Sequence, residues 1–219
     1  MIKRYHYEEF VRQAHRVGDA GLTICSSGNL SWRLGDEMLV SGTGSWIPTL
    51  TPEKVSRVRI ADGEVLNGVK PSMESVFHRG VMLERPDVNV VLHFQSPYAT
   101  LLACSKERPK SIAVTAEVPL HVGRVIPEIP FKTPGSPELA EAVIAALRNR
   151  NTIQLLKHGQ VVCGTSFDDV FQRAMFLEMA SRITYQALAA GKEPDVLTEE
   201  EIDALEMHFI GHLTKDGLF

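Results

Sequence analysis

Apolar positions along the chain repeat with two periods, one near 3.6 and one of 2, which predict interspersed helices and strands. Helices are predicted at residues 7–18, after Ser72, at 97–104, from Ser136, from Ser166 to Ala190 and after Thr198. Strands are predicted over the short apolar runs 30–34, 38–41, 55–60, 64–66, 112–115, 152–156 and 160–163. This order favours an α/β three-layer sandwich with a central sheet covered by helices. No linker interrupts it, so one domain over residues 1–219 is expected.

The stretch from Lys70 to Ser96 contains the most informative pattern. A short polar turn precedes a helix that is predicted to carry Glu74 in its first turn, with His78 four residues later on the same face. An apolar run then ends in His93-Phe94-Gln95. Side chains alternate along a strand, so we expect His93 and Gln95 to point one way and Phe94 the other. Two polar groups at the end of a buried strand are costly unless they bind something.

The apolar face of this predicted helix is expected to pack inward. Its members are Met73, Val76, Phe77, Gly80 and Val81.

A metal site is predicted from Glu74, His93, Gln95 and His158. Both histidines stand at the end of an apolar strand, beside a turn. Imidazole and carboxylate groups suit zinc or a related divalent ion, and three protein ligands with an open position are typical of a catalytic site. Alone, each histidine is more often structural, and Glu74 alone would be a solvated carboxylate favoured by the helix dipole. The prediction depends on their combination.

Small polar loops form a second candidate site. They are Ser27-Gly28-Asn29, Thr43-Gly44-Ser45 and Ser72 at a helix start. Backbone N–H groups of glycine-rich turns, hydroxyls and a helix N-terminus can together bind phosphate. The alternative is that each loop is only a hairpin turn. Glu117 and His121 are weaker candidates, for acid/base chemistry and for an extra metal ligand, or else ordinary loop residues.

Charge and cysteine content exclude several classes of function. A net charge of −4 and a pI near 6.1 argue against nucleic-acid binding. The three cysteines are widely spaced, so neither a disulfide framework nor a CxxC zinc site is expected. No apolar run approaches ~18 residues, and the N-terminus lacks the apolar segment of a signal peptide. We therefore expect a cytoplasmic protein without membrane contact.

Several motifs together resemble the class II aldolase/adducin family over nearly the whole chain. They are Gly28-Asn29-Leu30-Ser31, Ser41-Gly42-Thr43-Gly44, Lys70-Pro71-Ser72-Met73-Glu74, Arg85-Pro86-Asp87-Val88, Val91-Leu92-His93 and Lys157-His158-Gly159. The resemblance implies a nine-stranded, mostly antiparallel central sheet and a homotetramer with its active sites at subunit interfaces. It makes His93 and His158 zinc ligands and Glu74 the acid/base that can also touch the metal. The loop residues Ser27, Gly28, Asn29, Thr43, Gly44 and Ser72 would bind a substrate phosphate.

The chain departs from the family pattern in two places. Most active members carry a second histidine where this chain has Gln95, whose amide oxygen is a weaker zinc ligand than imidazole. A tyrosine that assists protonation in some members has no counterpart near Ala116. His121 could restore a third nitrogen ligand, and Glu117 could replace the missing proton donor. Whether Gln95 or His121 completes the metal site stays open at this point.

The resemblance implies a zinc-dependent aldehyde-lyase of carbohydrate metabolism. The expected reaction is reversible cleavage of a ketose 1-phosphate, with L-fuculose 1-phosphate as the expected substrate in fucose degradation, to dihydroxyacetone phosphate and L-lactaldehyde. One alternative is epimerisation of a pentulose 5-phosphate, as in an L-ribulose-5-phosphate 4-epimerase, or dehydration of a related sugar phosphate. Another is an inactive adducin-like interaction module, which retention of Glu74, His93 and His158 disfavours.

Overall fold

The computed structural model describes residues 2–216, with side chains through residue 209, so the ends of the predicted domain lie outside the described residues. Its helices are α1 (Arg4–Asp19), α2 (Ser75–Glu84), α3 (Pro97–Cys104), α4 (Pro137–Leu147), α5 (Phe167–Ala189) and α6 (Glu199–Asp216). Its strands are β1 (Asn29–Leu34), β2 (Glu37–Ser41), β3 (Val55–Arg59), β4 (Val90–Phe94), β5 (Glu128–Ile129), β6 (Thr152–Leu155) and β7 (Gly159–Gly164).

The strands form one sheet in the order β3-β2-β1-β4-β7-β6-β5. Every pair is antiparallel except β5 and β6, which run parallel. The central strand β4 pairs with β1 on one side and β7 on the other, placing His93 opposite Asn29 and Val161. The predicted mostly antiparallel sheet is confirmed, although the described residues form seven strands rather than the nine that the resemblance implies.

Helices cover both faces of the sheet, and β4 shows why. Its alternate residues Val90, Leu92 and Phe94 pack in a buried cluster with α1, α3 and α5. Val91 faces the other way, into a second cluster formed with α2 and α4. His93 lies on this second face, where the Phe77 ring of α2 meets it edge-on at 6.3 Å. The predicted three-layer sandwich is confirmed, with Phe94 and His93 in opposite layers.

Side-chain caps begin three of the helices where the sequence predicts them. Ser136 Oγ accepts a hydrogen bond from the Leu139 N–H, and Ser166 Oγ accepts one from the Asp169 N–H. At the last helix, Thr198 Oγ1 accepts from the Glu201 N–H while Glu201 accepts from the Thr198 N–H. These bonds satisfy N–H groups that have no partner inside the helix.

Two local predictions are wrong. Residues 112–115 form no strand, because the Ala113 carbonyl accepts from the Leu197 N–H instead of a sheet neighbour. The inward face of α2 is also rotated, so that Met73 is 65% exposed and Val76 49% exposed. Phe77 and Val81 are buried as predicted, and the helix buries His78 and Met82 with them. The rotation follows from His78, whose ring is hydrogen-bonded to β1.

The strand predicted at residues 64–66 does not form. These residues contact β3 only through an isolated bridge between Val58 and Val65.

Across the described residues, no helix combines the length and apolar character needed to cross a membrane.

Leu92 offers a test of the layered core, because its side chain is fully buried at the centre of β4. We expect Leu92→Ala to lower the free energy of unfolding by about 2–5 kcal/mol, since it removes packed atoms and leaves a cavity. Urea unfolding followed by circular dichroism measures this. Leu188→Ala on α5, where the side chain is 43% exposed, is the control and should change stability little. Equal losses in the two variants would contradict this placement of β4.

Candidate functional site

Glu74, His93 and His158 come together from three different elements. Glu74 immediately precedes α2, His93 lies in β4, and His158 lies in the turn between β6 and β7. His93 Nε2 is 3.5 Å from Glu74 Oε2, and His158 Nε2 is 3.7 Å from Glu74 Oε1. The three potential ligand atoms all lie within 4.8 Å of one another, so one ion can contact all of them.

A close approach of β7 to β4 brings the two imidazoles side by side. A Cβ at Gly159 would lie 2.5 Å from the Phe94 carbonyl oxygen, 2.7 Å from Gln95 Cγ and 3.2 Å from His93 Cε1. Lys157, the residue before His158, has a φ of 60°, which turns the chain sharply at that point. The rings of His93 and His158 then stand 4.7 Å apart at an angle of 69°.

Nε2 of each histidine faces an oxygen of Glu74. His93 Nδ1 is 2.8 Å from the Gln160 carbonyl oxygen, which can only accept, so Nδ1 carries a proton and Nε2 is the nitrogen directed at Glu74. Burial lowers the pKa of His158 to about 4, with a further contribution from His93 and an opposing one from Glu74. Neutral imidazole is the form that binds metals.

Glu74 presents one free oxygen to these rings. Its side chain is buried, and its Oε2 accepts a hydrogen bond from Asn29 Nδ2 at 2.8 Å. Its Oε1 is buried with no hydrogen-bond partner, as is Nδ1 of His158. An unpaired buried carboxylate oxygen is costly, and a cation beside it removes that cost. Two imidazoles and a carboxylate therefore fit a divalent metal ion, as predicted.

A cavity of about 290 Å³ opens onto this metal site. All six residues predicted to bind phosphate line it: Ser27, Gly28, Asn29, Thr43, Gly44 and Ser72. Gln95 lines it too, half-buried beside His93. The loops are drawn in by backbone hydrogen bonds from Thr43 N–H to Lys70 and from Ser72 N–H to Ser41. The predicted metal and phosphate sites are thus one cavity, while phosphate binding itself stays a prediction.

Asn29 and His78 make contacts that the sequence did not predict. The Asn29 side chain is engaged at both ends, donating to Glu74 and accepting at Oδ1 from His78 Nε2 at 2.5 Å. Burial lowers the pKa of His78 to about 3, with His93 adding to the effect. The spacing of four residues between Glu74 and His78 was the only sequence signal. Asn29 therefore faces Glu74 more directly than a phosphate-binding role requires.

Glu117 and His121 lie elsewhere in the single chain. His121 belongs to a π-helical turn, Val118–Val122, and its ring packs 5.2 Å from that of Phe176 on α5. It lines a separate cavity, together with Arg124 and Arg150. The backbone N–H of Glu117 and the Thr115 hydroxyl hold the pKa of the Glu117 carboxyl below its usual value. Neither residue lines the metal cavity, and their predicted roles there stay predictions.

Comparisons with known proteins relate the chain to a family and to individual relatives. The family profile of the class II aldolase and adducin N-terminal domain matches residues 8–185. The chain is 33% identical over 202 residues to 3-oxo-tetronate 4-phosphate decarboxylase of Haemophilus influenzae, covering 91% of this chain and 95% of the relative. It is 31% identical to L-fuculose phosphate aldolase of Escherichia coli over 183 residues, 83% of each chain.

A solved structure shares the fold. The crystal structure of YgbL from Escherichia coli superposes with a TM-score of 0.84 at 30% identity, covering 92% of this chain and 97% of that one.

Gly159 tests whether the close strand approach builds the metal site. We expect Gly159→Ala to weaken zinc binding at least tenfold, because the added Cβ pushes on the Phe94 carbonyl and the His93 ring. Zinc affinity is measured by competition with a chromogenic chelator. Gly164→Ala, at the other end of β7, is the matched control, since its Cβ also meets close neighbours, Asp169 and Val170, but none that belongs to the metal site. Unchanged affinity in Gly159→Ala would show that the site tolerates a wider strand spacing.

Proposed function

The chain belongs to the class II aldolase and adducin family, and on that premise we propose that it is a metal-dependent lyase acting on a sugar phosphate. The bond cleaved joins the carbon next to a ketone carbonyl to the carbon that follows it. The observation that carries the proposal is the unpaired, buried Oε1 of Glu74, 3.7 Å from His158 Nε2, at the base of a cavity with glycine-rich polar loops. This is an acid/base and a metal site in one place.

The two relatives share one half of their chemistry. In 3-oxo-tetronate 4-phosphate and in L-fuculose 1-phosphate, a ketone carbonyl stands next to a carbon that bears the phosphate. Cleavage leaves an electron pair on the carbon at the other side of the carbonyl, as the enediolate of dihydroxyacetone phosphate. Carbon dioxide leaves in the first case and an aldehyde in the second. One site can therefore serve both reactions, because the half that stays is the same.

Residues of this chain supply binding and proton transfer. A divalent ion at Glu74, His93 and His158 would supply a Lewis acid for the negative charge that develops on the carbonyl oxygen. The loops at Ser27 and Thr43 would hold the phosphate and so position the reacting bond. Glu74 Oε1, once protonated by water, would deliver that proton to the carbon from which the fragment has left, and would take it back in the reverse direction.

We favour decarboxylation of a 3-oxo sugar-acid phosphate as the reaction. Release of carbon dioxide requires no proton transfer to or from the departing fragment. Release of an aldehyde requires a base that deprotonates the hydroxyl, and the reverse reaction requires an acid that protonates the aldehyde oxygen. The chain lacks the tyrosine that assists this step in some family members, near Ala116. The Haemophilus influenzae relative, matched over 95% of its length, has the same kind of substrate in its name.

Aldol cleavage of L-fuculose 1-phosphate, the reaction expected from the sequence, is the second candidate. The Escherichia coli L-fuculose phosphate aldolase supports it. It needs a group that handles the proton on the aldehyde oxygen, and within one chain Glu117 and His121 stand away from the cavity. This candidate therefore requires a neighbouring subunit to bring such a group in.

The proposal also includes zinc as the ion, a cytoplasmic location and a homotetramer with sites at subunit interfaces. Exposed apolar side chains beside the cavity support the assembly. Met73, which lines the cavity, is 65% exposed, and Trp46, next to the cavity-lining Ser45, is 51% exposed.

A substrate comparison tests the function. The zinc-loaded enzyme should form dihydroxyacetone phosphate from 3-oxo-tetronate 4-phosphate faster than from L-fuculose 1-phosphate, and chelation should abolish both activities. Glu74→Gln should lower kcat by about 10²–10⁴-fold because it removes the acid/base. Glu84→Gln, at the exposed end of the same helix, is the control. Formation from neither substrate would sink the proposal, and a preference for L-fuculose 1-phosphate would select the second candidate.

Gln95 and His121 can be separated by zinc affinity. Since Gln95 lines the cavity and His121 does not, Gln95→His should tighten zinc binding by supplying a third nitrogen ligand. His121→Ala should leave zinc affinity unchanged. Isothermal titration of zinc into each chelator-stripped variant gives both answers. The reverse pattern would mean that His121 of a neighbouring subunit completes the site.

A further inference from the structure

A chain of four buried polar side chains runs from β1 through α2 to Glu74. Ser31 Oγ is 2.7 Å from His78 Nδ1, and His78 Nε2 is 2.5 Å from Asn29 Oδ1. Asn29 Nδ2 is 2.8 Å from Glu74 Oε2. Ser31 and His78 are fully buried, and Asn29 is 6% exposed. Because these side chains are buried, water cannot replace a hydrogen-bond partner that is lost.

The direction of every hydrogen bond in this chain follows from the carboxylate. Oxygens of a carboxylate only accept, so the Asn29 amide must turn its nitrogen to Glu74 and its oxygen to His78. That oxygen also only accepts, so His78 must carry its proton on Nε2. Nδ1 of His78 then accepts, and the Ser31 hydroxyl donates to it. The arrangement allows one tautomer of His78 alone.

From this geometry we propose that His78 is a positioning residue for Glu74, acting through Asn29. Its Nε2–H locks the Asn29 amide, and the amide holds Oε2 of Glu74. Oε1 is left as the unpaired oxygen that faces His158 and the cavity. Without the His78 donor, the Asn29 amide would flip or detach, and Oε2 would compete with Oε1 for the same place. The kinetic part of the inference depends on the proposed function; the hydrogen-bond chain does not.

The expected consequence is a loss of rate more than of substrate binding. Glu74 is proposed to move the proton, whereas the loops hold the phosphate. Loss of the donor should therefore lower kcat by about 10–100-fold, the usual effect of removing a group that orients an active-site residue, and change KM little.

Two substitutions at position 78 and one control make the kinetic test. His78→Leu keeps an apolar volume but removes the donor, and His78→Gln offers a side-chain amide that can again donate to Asn29. Val81→Ala, buried on the same helix, lowers stability without touching the hydrogen-bond chain. With whichever substrate the wild type accepts, kcat should fall in His78→Leu and recover at least in part in His78→Gln. Equal kcat in His78→Leu and wild type, or an equal loss in Val81→Ala, would overturn the proposal.

A double-substitution cycle tests whether His78 acts through Asn29. Asn29→Ala removes the link to Glu74, so adding His78→Leu should then lower kcat no further. Independent, multiplying losses would overturn the proposal, since they would mean that His78 affects the rate by another route.

Nitrogen-15 spectra of the histidine rings test the chain without substrate or metal. In the metal-free wild type at pH 7, His78 should be neutral with its proton on Nε2, and a proton on Nδ1 would overturn the inference. His78→Gln, which lacks the signal, assigns it. Because this readout needs no activity, it stands if the enzyme acts on neither substrate and the proposed function fails. It also tests the hydrogen-bond chain if His78→Leu does not fold.

Discussion

A carboxylate in a mostly apolar interior must be surrounded by hydrogen-bond donors or a cation, because burying it unpaired costs several kcal/mol. Glu74 is such a group, 8% exposed at the start of α2. The chain supplies one donor, the Asn29 amide, and leaves the other oxygen unpaired beside His158. The remaining requirement is a positive charge. A metal ion held by this oxygen and by the two imidazoles would meet the requirement. The cavity is therefore a binding site and not a packing defect.

The sheet provides the accuracy that this arrangement needs. Asn29 and His93 are cross-strand neighbours on β1 and β4, so both project toward α2 and toward Glu74 at its start. A slip of one residue in that register would turn His93 into the layer that Phe94 occupies now, since strand side chains alternate. Gly159 positions the neighbouring His158, because its missing side chain lets the start of β7 pack closely on the end of β4. Three ligands from distant parts of the chain thus meet through backbone pairing rather than loop flexibility.

Local signals in the sequence predicted much of this and long-range contacts explain what they did not. Alternation along His93-Phe94-Gln95 and the serine caps of α4 and α5 depend on neighbouring residues, and the structure confirms the placement of His93 and Phe94 as well as both caps. The apolar run at 112–115 resembles a strand but has no sheet partner available.

The proposed role of His78 could not be predicted from the sequence either. It depends on Asn29, 49 residues away, and nothing in either segment alone indicates the contact. The same geometry bears on how one family holds both decarboxylases and aldolases. In the proposed function, Glu74, its hydrogen-bond chain and the loops of this cavity would act on the phosphorylated ketone half, which is common to both reactions. The fragment that departs differs in one chemical need, a proton partner for the aldehyde oxygen. Groups outside this set can meet that need without altering the buried carboxylate, so the reaction can change while the core of the site is kept.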